Sequence, residues 1–159
     1  MKTLLAVALF ALGLNALAAE SLNLRLDIYR FEGEAGLLKD KSPEAQLALL
    51  GDREPSITQS IAIQPDGTAR SSVRIGVFTL KIDAKINPAK EGAYRIFSDF
   101  ALVEQIQIGS DTIPSTMAFH TGVSVRLGQR QVAGSFMGGV DEGTSTYQVL
   151  VLSLSKQFE

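Results

Sequence analysis

The most informative absences in this sequence of 159 residues are those of cysteine and tryptophan, and histidine occurs only once. Without cysteine the chain can form neither a disulfide nor a thiolate metal site, and it has no thiol nucleophile. A single imidazole also disfavours a zinc site, which usually needs several nitrogen or sulfur ligands. We therefore expect no metal, no cofactor and no thiol catalysis.

An excess of charge of either sign is also lacking. The 15 Lys and Arg residues nearly balance the 17 Asp and Glu residues, for a formal net charge of −2. No run of basic residues is longer than two. Such a surface gives no electrostatic reason to bind nucleic acid, so we expect no nucleic-acid partner.

Long apolar runs are confined to the first 18 residues, which have the three parts of a secretory signal peptide in order. Lys2 gives a positive start, Leu4–Leu14 is apolar, and Ala16 and Ala18 form an A-x-A cleavage site. We predict cleavage after Ala18; a buried N-terminal helix is the alternative. Export to the bacterial periplasm follows. Association with the outer membrane stays open, although no later window suits a membrane-spanning helix.

What dominates the mature sequence is alternation of apolar and polar residues. The apolar members of the clearest example are Phe78, Leu80, Ile82, Ala84 and Ile86, each separated from the next by one polar residue. A period of two indicates a half-buried strand. Leu22–Tyr29 alternates in the same way, and Ile57, Ile61 and Ile63 share one face of another strand. Repeated turns of hairpin length indicate antiparallel pairing.

One segment, Ser42–Leu50, has the features of a helix. Ser42 suits the N-cap and Gly51 the C-terminal stop. Because so short a helix is not stable alone, Leu47 and Leu50 must dock on the strands. We predict a mainly β fold: an antiparallel β-sandwich or open barrel of about eight strands with this one short helix, in a single domain over residues 19–159.

The apolar phase changes at Gly76. Apolar residues are odd-numbered before it, as at Val73 and Ile75, and even-numbered from Phe78 onward. A slip of one residue would carry half of a strand to the wrong face. We therefore predict a β-bulge or sharp bend at Gly76, which is a structural use of glycine inside a strand pattern.

Further along the chain, we predict that a strand ends at Pro88. In Tyr94–Ile108 the apolar residues stay on one face over a length that is unusual for a strand. We therefore expect this strand to be central, bent or covered on both sides. Gly128 and Gln129 predict a two-residue hairpin loop of type II′, which needs glycine first. The last strand, Tyr147–Leu154, is apolar on both faces, so we expect both to be buried.

Catalytic residues are not indicated by any motif. Ser124, His120 and Asp99 could be written as a triad, but nothing resembles a nucleophile elbow, and a solvated His120 is the simpler interpretation. Acidic residues near the helix lack the spacing of a calcium loop and are better explained as a solvated rim: Asp40, Glu44, Asp52 and Glu54. We expect no enzymatic activity.

The order of strands and glycines from Ser72 onward carries a family likeness. Its segments are the Gly76-marked strand Val73–Ile82, the strand end Ala84–Pro88, the long strand Tyr94–Ile108, the strand Thr121–Leu127 with Gly128 and Gln129, the segment Val132–Phe136 with Gly134, and the closing strand Tyr147–Leu154. In this order they resemble the β-domain of bacterial secretins, the outer-membrane rings of secretion and pilus systems. Met137–Asp141 stands where that family has a proline-rich segment, so the likeness is to a stand-alone β-domain.

The resemblance implies a non-enzymatic structural or interaction module of the cell envelope, which assembles with itself or with an envelope or secretion partner. Two alternatives stay open from the strand pattern. One is a β-barrel that binds a small apolar ligand in its interior. The other is an eight-stranded outer-membrane barrel, which the strand count and alternation permit.

Overall fold

The fold is given by a computed structural model, which describes residues 21–75, 78–108, 110–141 and 143–156. In chain order its elements are β1 (Leu22–Glu34), α1 (Pro43–Leu50), β2 (Ile57–Ala62), β3 (Thr68–Ile75), β4 (Phe78–Pro88), a 3-10 turn (Lys90–Gly92), β5 (Ala93–Ile108), β6 (Asp111–Arg126), β7 (Arg130–Asp141) and β8 (Thr144–Lys156). The predicted cleavage residues Ala16 and Ala18 lie outside the described residues, as does Gly76.

The strands form two four-stranded sheets. Sheet A has the order β2-β1-β8-β7 and sheet B the order β3-β4-β5-β6. Every pair within a sheet is antiparallel. The sheets are not joined into a closed barrel, so the sandwich is the correct one of the two predicted forms. The expected mainly β fold with about eight strands and one short helix is confirmed.

The main core lies between the sheets, where alternate residues of both sheets meet. Its large buried members include Leu24, Leu26, Leu150, Leu152 and Leu154 from sheet A, and Leu80, Ile82, Ile86, Ile96 and Phe100 from sheet B. This is the apolar phase that the alternation predicts. Ile57, Ile61 and Ile63 also contact this core, which confirms their shared face.

A second apolar layer covers the outer face of sheet A. Helix α1 and the loop before it contribute Leu38 and Leu50, which pack on Tyr29, Phe31, Tyr147, Val149 and Val151. Strand β8 is therefore buried on both faces, as predicted. Leu47 packs against the same layer, so both predicted docking residues of the helix make their contacts. Ser42 caps the helix, because the backbone N–H of Ala45 donates to its Oγ at 3.3 Å.

The phase change near Gly76 coincides with the boundary between β3 and β4, and the β-bulge or sharp bend predicted at Gly76 lies outside the described residues. β3 and β4 are two antiparallel strands, and Ile75 is paired with Phe78. Val73 is therefore opposite Leu80, and odd-numbered residues of β3 share a face with even-numbered residues of β4. A hairpin reversal changes the parity without any slip inside a strand.

The turn at Gly128 also differs from its prediction. It does not close a hairpin, because β6 pairs with β5 in sheet B while β7 pairs with β8 in sheet A. The N–H of Gln129 donates to the carbonyl of Arg126 at 3.0 Å, and Gly128 has φ of +75°. Positive φ at the second central residue fits a type II turn, whereas the predicted type II′ requires it at the first.

β5 lies inside sheet B, between β4 and β6, which is one of the predicted reasons for its length. Its outer face is open, since Phe97 is 53% exposed. Pro88 is the last residue of β4, where a strand end was expected. No helix within the described ranges has the length and apolarity needed to cross a bilayer.

The two ends of the sandwich are connected differently. Both chain segments that cross between the sheets, the β2–β3 turn at Gln64–Gly67 and the β6–β7 turn at Arg126–Gln129, lie at the end where β1 begins and β8 ends. We call this the closed end. At the other end, the open end, every connection joins two strands of the same sheet.

Candidate functional site

An apolar cavity of about 240 Å³ lies between the sheets at the open end. Both sheets contribute to it, through one or two residues of each of six strands or their flanking turns. The lining residues are Ile28, Arg30, Ser56, Ile57, Leu80, Leu102, Phe136, Gln148 and Leu150. Ile28 and Leu150 lie in the middle of β1 and β8, and the other lining residues of these strands lie farther from the two crossing turns, so the cavity is in the half of the sandwich toward the open end.

The floor of the cavity is buried and its walls are partly open. Ile28, Leu80 and Leu150 are 6%, 4% and 1% exposed, so they form a floor shared with the main core. Leu102 and Phe136 are only partly buried and form walls from opposite sheets. The cavity is therefore continuous with the core below and accessible from the open end above.

Three polar side chains lie at the rim. Arg30 and Gln148 are direct cross-strand partners in the β1–β8 pair, and both line the cavity. The backbone N–H of Arg30 donates to Oγ of Ser56 at 3.2 Å, which leaves the Ser56 hydroxyl hydrogen free to donate elsewhere. No carboxylate is among the nine lining residues.

Arg30 reaches the inner face because of strand periodicity. In β1 the even-numbered residues Leu24, Leu26 and Ile28 face the core, so Arg30 continues the same face one step beyond. Gln148 continues the inner face of β8 in the same way, before Leu150. The sequence carries this signal as a polar residue in phase with each apolar face, and our prediction did not include it.

A cluster of three phenylalanines supports the Phe136 wall. The ring of Phe136 packs edge-on against Phe119 with centroids 5.3 Å apart, and Phe119 stacks on Phe100 at 4.9 Å. Gly134, predicted as a structural motif residue, allows this packing. A Cβ at Gly134 would stand 2.8 Å from Cε2 of Phe119, so only glycine lets β7 approach the ring so closely.

The trio of Ser124, His120 and Asp99 is brought together only in part. Asp99 and His120 are cross-strand partners, and Nδ1 of His120 contacts Oδ1 of Asp99. Their side chains are 66% and 85% exposed, as expected for a solvated histidine. Ser124 is opposite Arg95 instead, four residues from His120 and about 13 Å along β6. This arrangement is not a catalytic triad.

Metal binding has no geometric support in the described part of the chain, where no group of three or more His, Cys, Asp or Glu side chains could hold an ion. The acidic residues around the helix are exposed, as predicted for a solvated rim: Asp40, Glu44, Asp52 and Glu54. Backbone and Ser42 hydrogen bonds hold the pKa of Glu44 below its usual range, which is a helix-capping effect.

Comparison with known proteins gives no family: no family model matches the chain, and no curated protein matches it. The secretin resemblance therefore stays a prediction that rests on the segments quoted above. A function has to be inferred from the cavity and from the surfaces of the two sheets.

Proposed function

We propose that this protein is an exported, non-enzymatic binding module of the cell envelope that holds a small apolar molecule between its two sheets. The observation that supports this proposal is the cavity of about 240 Å³ at the open end. Protein cores are packed about as densely as organic crystals, and voids larger than a water molecule are few. A cavity of this size with an open mouth is therefore better suited to a ligand than to packing.

The volume indicates the size of the ligand. An engineered apolar cavity of ~150 Å³ is large enough for benzene, and sites for drug-sized ligands span ~300–1,000 Å³. The cavity here, at about 240 Å³, lies between these values. We expect a ligand with a single ring or a short alkyl chain, bound with its apolar part against Leu80 and Leu150.

Native mass spectrometry of the protein purified from envelopes would detect a molecule that stays bound during purification. Thermal unfolding would measure the binding of added probe compounds through the rise in Tm. A neutral octyl compound at about 100 times its Kd should stabilise the fold by ~2.7 kcal/mol. For a domain of this size that corresponds to a rise in Tm of roughly 5–10 °C.

The matched pair of variants Leu102→Phe and Val103→Phe locates the probe. Leu102 lines the cavity, whereas Val103 is the next residue of β5 and faces the other side of sheet B. Leu102→Phe should fill the cavity and remove the Tm rise, while Val103→Phe should keep it. An equal response of the two variants would contradict binding between the sheets.

A second candidate is the self-assembling module that the secretin resemblance implies. It is favoured by the long β5–β6 hairpin. Pairing of β4 with β5 ends at Glu104, whereas β5 and β6 continue to pair out to Ile108 and Asp111. On this hairpin Ile113 and Met117 are 49% and 50% exposed. A hairpin that projects beyond its sheet and exposes Ile113 suits contact with another chain.

Size-exclusion chromatography with crosslinking in native envelopes tests this candidate. Ile113→Asp should reduce any oligomer, and Thr112→Asp, at the neighbouring position of β6, is the control. A wild-type protein that is monomeric and uncrosslinked would rule the assembly role out. The outer-membrane barrel requires a closed sheet, and the two separate sheets give it no support.

A further inference from the structure

We infer that the molecule held in the cavity is a small amphipathic carboxylic acid, with its carboxylate at Arg30 and Gln148 and its apolar body between the sheets. This inference rests on the proposed function and adds the ligand's chemical class. It follows from the three side chains at the rim, Arg30, Ser56 and Gln148, which are polar, whereas the other lining side chains are apolar.

Arg30 supplies a charge that the fold does not use. It lies on the inner face at the rim and is exposed, and its guanidinium makes no ion pair with any carboxylate that the structure describes. Other arginines do have such partners: Arg70 pairs with Asp83 at 2.8 Å, and Arg25 with Asp27 at 3.0 Å. An unpaired guanidinium at the mouth of an apolar cavity is suited to an anionic head group.

The geometry of the rim favours a carboxylate over a neutral head group. A guanidinium presents parallel N–H donors that match the two oxygens of a carboxylate. Gln148, directly opposite Arg30 across the β1–β8 pair, adds amide donors, and the Ser56 hydroxyl adds another. Three donors and no lining carboxylate create a rim that accepts negative charge.

The apolar body of the ligand has to be short. Along β1 the lining extends from Ile28 to Arg30, and along β8 from Gln148 to Leu150, which is one side-chain repeat of about 7 Å. Below that level the space is filled by the main core, in which Leu26 and Leu152 are 1% and 0% exposed. A short alkyl chain or one ring fits this depth.

Isothermal titration of the full-length mature protein with octanoate, 1-octanol and octylamine tests the inference, since the three probes share a tail and differ in head group. Octanoate should bind at least about tenfold more tightly than octanol, as expected for a charged hydrogen bond. Octylamine should bind most weakly because its ammonium group would face Arg30.

Substitution of Arg30 assigns the preference to this residue. Arg30→Met keeps an apolar stem and should reduce octanoate affinity to that of octanol, with octanol affinity unchanged. Arg30→Lys keeps the charge without the fork and should give an intermediate value. Arg95→Met, which removes an exposed charge from β5 at the closed end, should leave all three affinities as in the wild type.

The failures of the two proposals are distinguishable. If none of the octyl compounds binds the wild-type protein, the ligand-binding function is wrong and the inference falls with it. If octanol binds as tightly as octanoate, or if Arg30→Met leaves the octanoate preference intact, only the carboxylic acid class is wrong. Circular dichroism and the Tm of each variant verify that the fold is retained.

Discussion

The closed and open ends of the sandwich are built from the same strands, yet the chain crosses between the sheets at only one of them. At the closed end, the turns that cross between the sheets are anchored by backbone hydrogen bonds. The N–H of Ile86 donates to the carbonyl of Gly67 at 2.8 Å, and the N–H of Gly128 to that of Leu154 at 2.9 Å. At the open end no connection crosses, so nothing covalent holds the sheets together there.

Partly buried apolar residues occur at both ends, and those at the closed end include Ile63, Tyr94 and Leu127. Leu24 and Leu154, at the closed end, are both 0% exposed. At the open end the inward positions of Leu102 and Phe136 are only partly buried, and the next inward position of β1 is Arg30. The cavity lies in the half of the sandwich in which no chain segment crosses between the sheets.

The largest expected difference is between two leucine truncations. Leu154→Ala removes a fully buried side chain at the closed end and should lower the free energy of unfolding by about 3–5 kcal/mol. Leu102→Ala enlarges a cavity that is already open, and should lower it by about 1–2 kcal/mol. Urea unfolding of both variants measures this, and equal losses would contradict the contrast between the ends.

Two glycines with positive φ provide the next comparison. Gly67 is in the crossing β2–β3 turn with φ of +80°, and a Cβ there would lie 2.7 Å from the backbone oxygen of Ile86. Gly143, in the β7–β8 turn of the open end, has φ of +84°, and a Cβ there would meet no atom within 4 Å outside its chain neighbours.

Alanine at these two glycines should therefore have unequal effects. Gly143→Ala should cost about 1–2 kcal/mol from backbone strain alone. Gly67→Ala should cost about 2–4 kcal/mol, because the clash with β4 is added to the strain. If chemical denaturation gives the same loss in the free energy of unfolding for both variants, the crossing β2–β3 turn does not pack closely against β4.

A smaller effect is expected at Tyr147, which anchors the loop after β1 to the outer face of sheet A. Its hydroxyl accepts from the N–H of Leu37 at 2.9 Å and donates to the carbonyl of Glu34 at 2.7 Å. Tyr147→Phe should lower the free energy of unfolding by about 1–2 kcal/mol. The affinity for octanol should not change, since this loop lies outside the sandwich. A changed affinity in Tyr147→Phe would indicate that the loop affects the cavity.

The smallest effect concerns pH and the closed end. Hydrogen bonds from the side chain and backbone of Thr68 hold the pKa of Asp66 below its ordinary value of 3.8. The charged form is thus favoured by folding, and its stabilisation is present above that value and lost as pH falls through the lower folded pKa.

Asp66→Asn should consequently be slightly less stable than the wild type at pH 7, with the difference disappearing at acidic pH. Thermal unfolding at several pH values measures the effect. A constant difference for Asp66→Asn at all pH values would refute the role of its ionisation.

Sequence alone was sufficient for the faces of the strands, because a period of two depends on the backbone and not on which strands pair. It predicted the two buried faces of Tyr147–Leu154 and the docking of Leu50 correctly. Which strands pair with each other was harder to predict from the sequence. A hairpin reversal and a slipped strand both change the parity of apolar residues, so the phase change at Gly76 did not by itself show that β3 and β4 are two paired strands.

The cavity could not have been predicted without the topology. Arg30 and Gln148 are far apart in sequence, and they become neighbours only because β8 returns beside β1. Gly128 looked like a hairpin glycine, since a turn residue does not reveal whether the strands it joins belong to one sheet or two. The β6–β7 turn at Gly128 crosses between the sheets at the closed end, so it leaves the open end without a connection between them.

Methyl-resolved NMR during titration with octanoate is the most direct test of the open end as a ligand site. The methyl signals of Leu80, Leu102 and Leu150 should shift with the ligand, while those of Leu24, Ile86 and Leu154 at the closed end should stay in place. Shifts of the same size at both ends, or none at any of these residues, would contradict a site between the sheets at the open end.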